Sequence, residues 1–138
     1  MQHNDAGSQG HGPCAASNGD PSEGDKMNDV LEQMLTEGTA IGEDGNTVQI
    51  FTASISREDG EALAKVIKAT GARRTLEIGF AYGVSTLFIL DALKESGGGH
   101  HTAIDPFEAD GYGNVGLRSV QRAGFEDSFT FQDRKSVV

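Results

Sequence analysis

The eleven residues Leu76–Thr86, L-E-I-G-F-A-Y-G-V-S-T, hold a carboxylate, two glycines four apart and the adjacent hydroxyls of Ser85 and Thr86 in close order. The residues before Gly79 read as a short apolar strand and those after Gly83 as an apolar helix, so the glycines fall where a strand turns into a helix. Glycine there lets the main chain turn sharply and leaves no Cβ between a ligand and the peptide backbone. Gly79 and Gly83 meet that need. A helix opening at Ser85 would turn its first amides, with their partial positive charge, toward a carboxylate, while Glu77 supplies a negative group suited to an amine. An amino acid carries both groups. About 20 residues further on, Asp105 ends a second apolar stretch, where an acid is placed to accept hydrogen bonds from ribose hydroxyls. Glycine turn, internal acid and strand-end acid together describe a ligand that is part amino acid and part nucleoside, as S-adenosylmethionine is.

These residue types also fit other roles. Two glycines alone fit a turn of any α/β domain. A dinucleotide site, and with it an NAD-type oxidoreductase, needs G-x-G-x-x-G, and this sequence has Ala81 and Val84 where two of those glycines would stand. Glu77 lies between Leu76 and Ile78 in a strand expected to be central, where an unpaired carboxylate is costly, so a functional role is the better reading. Tyr82 is expected either to touch a ligand or to pack over the turn. His100 and His101 begin a strand, at the edge opposite the expected ligand, and are read as loop and strand-start residues. The acids from Glu108 to Asp110 read as a solvated turn. His3, His11 and Cys14 lack a fourth ligand and read as tail residues, so no metal is expected.

These groups need elements to position them. Residues 1–26 are polar and glycine-rich and are expected to be disordered, and 27–138 to form the N-terminal portion of a cofactor-binding domain. Val30, Leu31, Met34 and Leu35 have the spacing of a short amphipathic helix, and Val48, Ile50 and Phe51 follow a turn as an extended stretch. Ser56 and Asp59 resemble a capping box opening a helix that Gly71 ends, with Leu63, Val66, Ile67 and Thr70 along one stripe. Thr75–Ile78 is the first strand, and Ser85 is placed to cap a helix apolar around most of its circumference, hence buried. His101–Ile104 is the second strand, residues 113–123 the third helix and Phe129–Phe131 the third strand. Alternating helices and strands imply an α/β fold, a parallel sheet with right-handed crossovers.

Composition limits the partners. A formal net charge of −10 disfavours nucleic acid, because an acidic surface repels phosphate and gains nothing from counterion release. A single cysteine rules out an internal disulfide, and no apolar run approaches the roughly 20 residues that span a bilayer. The default is a cytoplasmic protein acting on a small molecule, with no encoded oligomeric state.

E-I-G-F-A-Y-G-V-S-T resembles the first motif of the class I S-adenosylmethionine-dependent methyltransferases, and H-T-A-I-D-P their second. I-S-R-E-D-G-E, R-R-T-L-E-I-G and Y-G-N-V-G-L-R-S-V-Q-R-A-G-F extend the likeness to a branch of small bacterial O-methyltransferases, from about residue 27 onward. The resemblance implies a Rossmann-like parallel sheet with flanking helices, with S-adenosylmethionine as cofactor. It puts Glu77, Gly79, Gly83 and Ser85 around the methionine end, Asp105 on the ribose and residues 133–136 near the adenine. It names no catalytic base. Family members continue through further strands that carry the acceptor pocket, so the reading expects an incomplete domain, about three strands of a usual seven. Methyl transfer to a small-molecule oxygen or nitrogen is the first expectation, and a non-catalytic remnant or nucleoside-binding module the second.

Overall fold

The computed structural model describes residues 26–134. The expectations for residues 1–25, including His3, His11 and Cys14, and for Lys135 and Ser136, lie outside the described residues.

Helix α1 (Asp29–Glu37) opens on Asn28, whose side chain accepts from the Val30 amide, and closes on Gly38 in the left-handed conformation. Asn28 also fastens this helix to the rest of the molecule: its amide donates to Asp91 and its Nδ2 to the Ala123 carbonyl. Strands β1 (Thr39–Ile41) and β2 (Thr47–Gln49) form a small antiparallel hairpin. The expected extended stretch thus ends sooner, because Phe51–Ala53 winds into a 3-10 turn.

Helix α2 (Arg57–Thr70) begins as expected, with Ser56 Oγ accepting from the Asp59 amide at 3.1 Å, and Gly71 ends it in the left-handed region. Its stripe is rotated from the one read in the sequence. Val66 is 59% exposed and Thr70 is also exposed, while Gly60 and Ile67 are buried. The cause is the close approach of helix α3 (Val84–Glu95): a Cβ at Gly60 would lie 2.1 Å from the Phe88 ring. The apolar helix expected to be buried is so, with Leu87, Phe88, Ile89, Leu90, Ala92 and Leu93 all in the interior.

Strands β3 (Arg74–Ile78), β4 (His100–Ile104) and β5 (Phe129–Gln132) form one parallel sheet in that order, pairing Thr75 with His101 and His101 with Phe129. Between β4 and β5 run a short helix α4 (Glu108–Tyr112) and α5 (Val115–Arg122), in place of the single expected helix. Gly113 and Asn114 break the two apart, both with positive φ. The alternation of strands and helices confirms the α/β reading. The central position expected for β3 is not found among the described residues: β3 pairs only with β4, and Leu76 and Ile78 on its outer face are 64% and 83% exposed. On the other face His101 and Ala103 are fully buried, and Thr75, Glu77, Phe129 and Phe131 are half-buried. None of the described helices is long and apolar enough to cross a membrane.

Gly60 gives a test of the α2–α3 contact. Gly60→Ala would gain about 1 kcal/mol of helix propensity in open solvent, but here the added methyl drives into the buried Phe88 ring. The expected result in thermal or denaturant unfolding is a net loss of about 1–3 kcal/mol, partly recovered by pairing it with Phe88→Leu.

Candidate functional site

The turn between β3 and α3 is held by backbone geometry and by one carboxylate. Gly79 and Gly83 have φ of +94° and +88°, in the region that favours glycine. Ala81 between them has φ of +50°, so it takes a left-handed conformation where the dinucleotide pattern would place a glycine. The Gly79 amide donates to the Ile104 carbonyl at 2.8 Å, which joins the ends of β3 and β4. Asp105, 5% exposed, then locks the loop: its Oδ2 accepts from the Phe80 and Ala81 amides at 2.8 and 3.1 Å, and its Oδ1 from Phe107 at 2.8 Å. Burial works to raise the Asp105 pKa, but the amides of Phe80, Phe107 and Ala81 outweigh it, and the carboxyl sits below its ordinary range. It is therefore a charged group at neutral pH.

Glu77 forms a second centre, and its environment corrects two expectations. Its side chain is mostly covered and turned toward α3, where Oε1 accepts a short hydrogen bond from Ser85 Oγ and Oε2 accepts from Thr86 Oγ1 at 2.6 Å. His101 Nε2 lies 3.0 Å from the same Oε2, and its Nδ1 2.8 Å from Thr75 Oγ1. Donation from Nε2 to the carboxylate and acceptance at Nδ1 from the threonine satisfies both ring nitrogens. Ser85 consequently does not cap α3. That helix is capped two residues earlier, on Gly83, which has no side chain to offer, so its first amides have no side-chain partner. His101 is a strand-start residue, as expected, but a fully buried one.

The expectation that Glu108–Asp110 is a solvated turn fails for its conformation and for Glu108, while Asp110 is exposed as expected. These residues open α4, and Glu108 is 1% exposed, with Oε1 accepting from the Gly116 and Leu117 amides at 2.8 and 3.4 Å. The carboxylate caps α5, whose own first residues supply no side-chain cap. Burial pushes the Glu108 pKa up to about 7, the two amides oppose this, and the Asp105 charge adds to the rise. Tyr82 packs over the turn, its ring edge-on to Tyr112 at 5.2 Å.

Two contributors escaped the sequence reading. Phe80 is buried below the loop, with Phe129 and Phe131 5.3 and 5.5 Å from its ring. Ser54 lies beside the loop: a cavity is lined by the 52–55 segment on one side and by Gly79, Ala81 and Ser85 on the other. Its Oγ is buried and has no hydrogen-bond partner. It stands between Ala53 and Ile55, and nothing local in the sequence marks it out. Asp133 and Arg134 follow β5 and are exposed.

A three-stranded parallel sheet flanked by helices, with a glycine turn at its carboxyl edge tied to a strand-end acid, defines a Rossmann-like type of domain. Residues 76–136 match a family model described as a methyltransferase domain. A caffeoyl-CoA O-methyltransferase of Populus kitakamiensis is 32% identical over 123 residues, covering 80% of this chain and 51% of the relative. An O-methyltransferase from Bacillus cereus, solved in complex with SAH, shares the fold with a TM-score of 0.57 at 23% identity, over 75% of this chain and 42% of the other. The O-methyltransferase TomG from Streptomyces achromogenes, solved with SAM, gives 0.56 at 21% identity, over 78% and 43%. By sequence the chain is similar to a methyltransferase domain and to an O-methyltransferase, and it shares the fold of solved O-methyltransferases. It spans about half the length of the curated relative it matches.

Two measurements test this geometry. Glu77→Ala would strand the buried Thr86 hydroxyl and the His101 ring, and a loss of about 2 kcal/mol is expected in denaturant unfolding, against a smaller loss for Glu77→Gln. For Glu108 the folded pKa of about 7 lies above the ordinary 4.5, so the folded state holds its proton longer than the unfolded state. Its contribution to stability is full below the lower value and is lost as pH rises through the upper one. The melting temperature of the parent should fall more steeply between about pH 5 and pH 7.5 than that of Glu108→Gln.

Proposed function

We propose that this chain binds S-adenosylmethionine at the carboxyl edge of the β3–β4–β5 sheet and serves methyl transfer to an oxygen of a small molecule. The observation that carries this reading is the cavity between the 52–55 segment and the glycine turn, lined by Ser54 on one side and on the other by backbone that is free of side chains at Gly79. A Cβ at Gly79 would meet nothing within 4 Å, so there is open space against the peptide. Ser54 and the first amides of α3 suit the carboxylate of an amino acid moiety. Gly79 allows its approach to the main chain, Gly83 shapes the turn by letting the Gly116 backbone pack against it, and Ser85 borders the same cavity.

Asp105 is assigned to the ribose, with a limit set by its hydrogen bonds. A carboxylate has about four acceptor positions, and three are taken by amides, so there is room for one ribose hydroxyl rather than two. Glu77 is similarly engaged by Ser85, Thr86 and His101, and its part in binding is to hold α3 at the angle that aims its amides. The bound cofactor supplies an electrophilic methyl group, and the residues described here bind and orient it rather than exchange protons with it. The net charge of −10 and the single cysteine support a small-molecule acceptor and a cytoplasmic setting.

Calorimetric titration of the whole chain with S-adenosylhomocysteine tests the reading. Saturable binding is expected, with Ser54→Ala weakening it several-fold and Asp105→Ala about tenfold or more. Absence of heat at about 1 mM ligand, or saturable binding of NAD instead, would overturn it.

A further inference from the structure

We infer that Glu108 is a positioning residue for the glycine turn, acting through the first turn of α5. The inference rests on the proposed cofactor site but on different atoms. Glu108 contacts the loop only indirectly: its Oε1 holds the Gly116 and Leu117 amides, and the Gly116 backbone in turn lies against the loop. A Cβ at Gly116 would fall 2.7 Å from the Ala81 carbonyl oxygen and 2.9 Å from the Phe80 ring, and one at Gly83 would fall 3.2 Å from the Gly116 Cα. Two glycine backbones therefore meet where α5 abuts the turn, and the carboxylate behind α5 sets how closely they meet.

The second oxygen of Glu108 gives this arrangement a chemical sensitivity. Oε2 is buried and without a partner. A charged carboxylate with one oxygen unsatisfied is costly in such a place, whereas the neutral acid carries a proton there and still accepts both amides through Oε1. Asp105 at the end of β4 presents a second negative charge to Glu108, and α5 presents amides. Ionisation of Glu108 strengthens the bonds from the two α5 amides but leaves a charged Oε2 that water can reach only if the packing around it opens, and that opening loosens the seat of α5 and, with it, the turn that Asp105 holds from the other side.

The test uses the full chain and S-adenosylhomocysteine as probe, at pH 6 and pH 8. Glu108→Ala should weaken binding about tenfold at pH 6, where Glu108→Gln, which keeps the accepting oxygen, stays within about twofold of the parent. On going to pH 8 the parent should lose affinity several-fold more than Glu108→Gln does, a comparison that separates Glu108 from His100 and His101, which both proteins share. Identical pH profiles for parent and Gln variant would overturn the inference. So would an Ala variant that binds like the parent. If Glu108→Ala does not fold, the Gln comparison decides alone. If the parent takes up no probe, the cofactor reading fails, and amide hydrogen exchange decides the role of Glu108. Faster exchange at pH 8 than expected from the Gln variant, at Phe80 and Ala81 as well as at Gly116, supports it, and unchanged exchange at Phe80 and Ala81 sinks it.

Discussion

The three amide hydrogen bonds to Asp105 are the constraint on which the site depends. A strand that ends in two positive-φ glycines and a left-handed alanine has no intrinsic preference for one loop shape, and unpaired amides there would be costly to bury. Asp105 removes both difficulties at once, because its carboxylate takes two amides from the loop and one from the start of its own following segment. Hydrogen bonds to a charged acceptor are the stronger kind, worth roughly 1.5–3 kcal/mol each, and their combined effect exceeds the burial cost that would otherwise neutralise the acid. The parallel register of β3 and β4 puts the acid within reach, since Ile78 pairs with Ile104 and each strand then runs straight into its functional segment.

Two further carboxylates extend the same logic to the two helices around the turn. Glu77 binds hydroxyls of α3 and the buried imidazole of β4, and so fixes the helix whose first amides face the cavity. Glu108 caps α5 and sets the helix that backs the loop. Three acids within a small volume would repel one another strongly if all were charged and unpaired. Each is instead given its own set of donors, and the most deeply covered, Glu108, has its ionisation pushed toward neutral pH.

The division of labour differs from the one that a simple motif reading assigns. Residues of the pattern E-I-G-F-A-Y-G-V-S-T need not all touch a ligand in order to make a site, because several of them build the platform on which the ligand-facing backbone is displayed. Glu77 and Ser85 satisfy each other, and the groups left open are a hydroxyl from another segment, the amides that begin α3 and one acceptor position on Asp105. In the proposed site the groups that would meet a ligand are mainly main-chain atoms, and Ala81 takes a positive φ where a dinucleotide pattern would have glycine.

Local chemistry made much of this legible in the sequence. The capping serine at 56, the glycine stop at 71, the all-round apolar helix after Gly83 and the two strand-to-acid and strand-to-glycine junctions each depend on residues within a turn or two of one another, and periodicity reports such features directly. Tertiary structure decided the rest. Whether Glu77 faces a ligand or a helix, which side of α2 is buried, whether Glu108 is solvated, and which strand stands at the edge all depend on contacts between residues distant in the chain, such as Gly60 with Phe88, Glu77 with His101 and Ser54 with the glycine turn. A sequence specifies the donors and acceptors that a group can offer, but the burial that sets their worth, and the partner that meets them, exist only once the sheet and helices have packed.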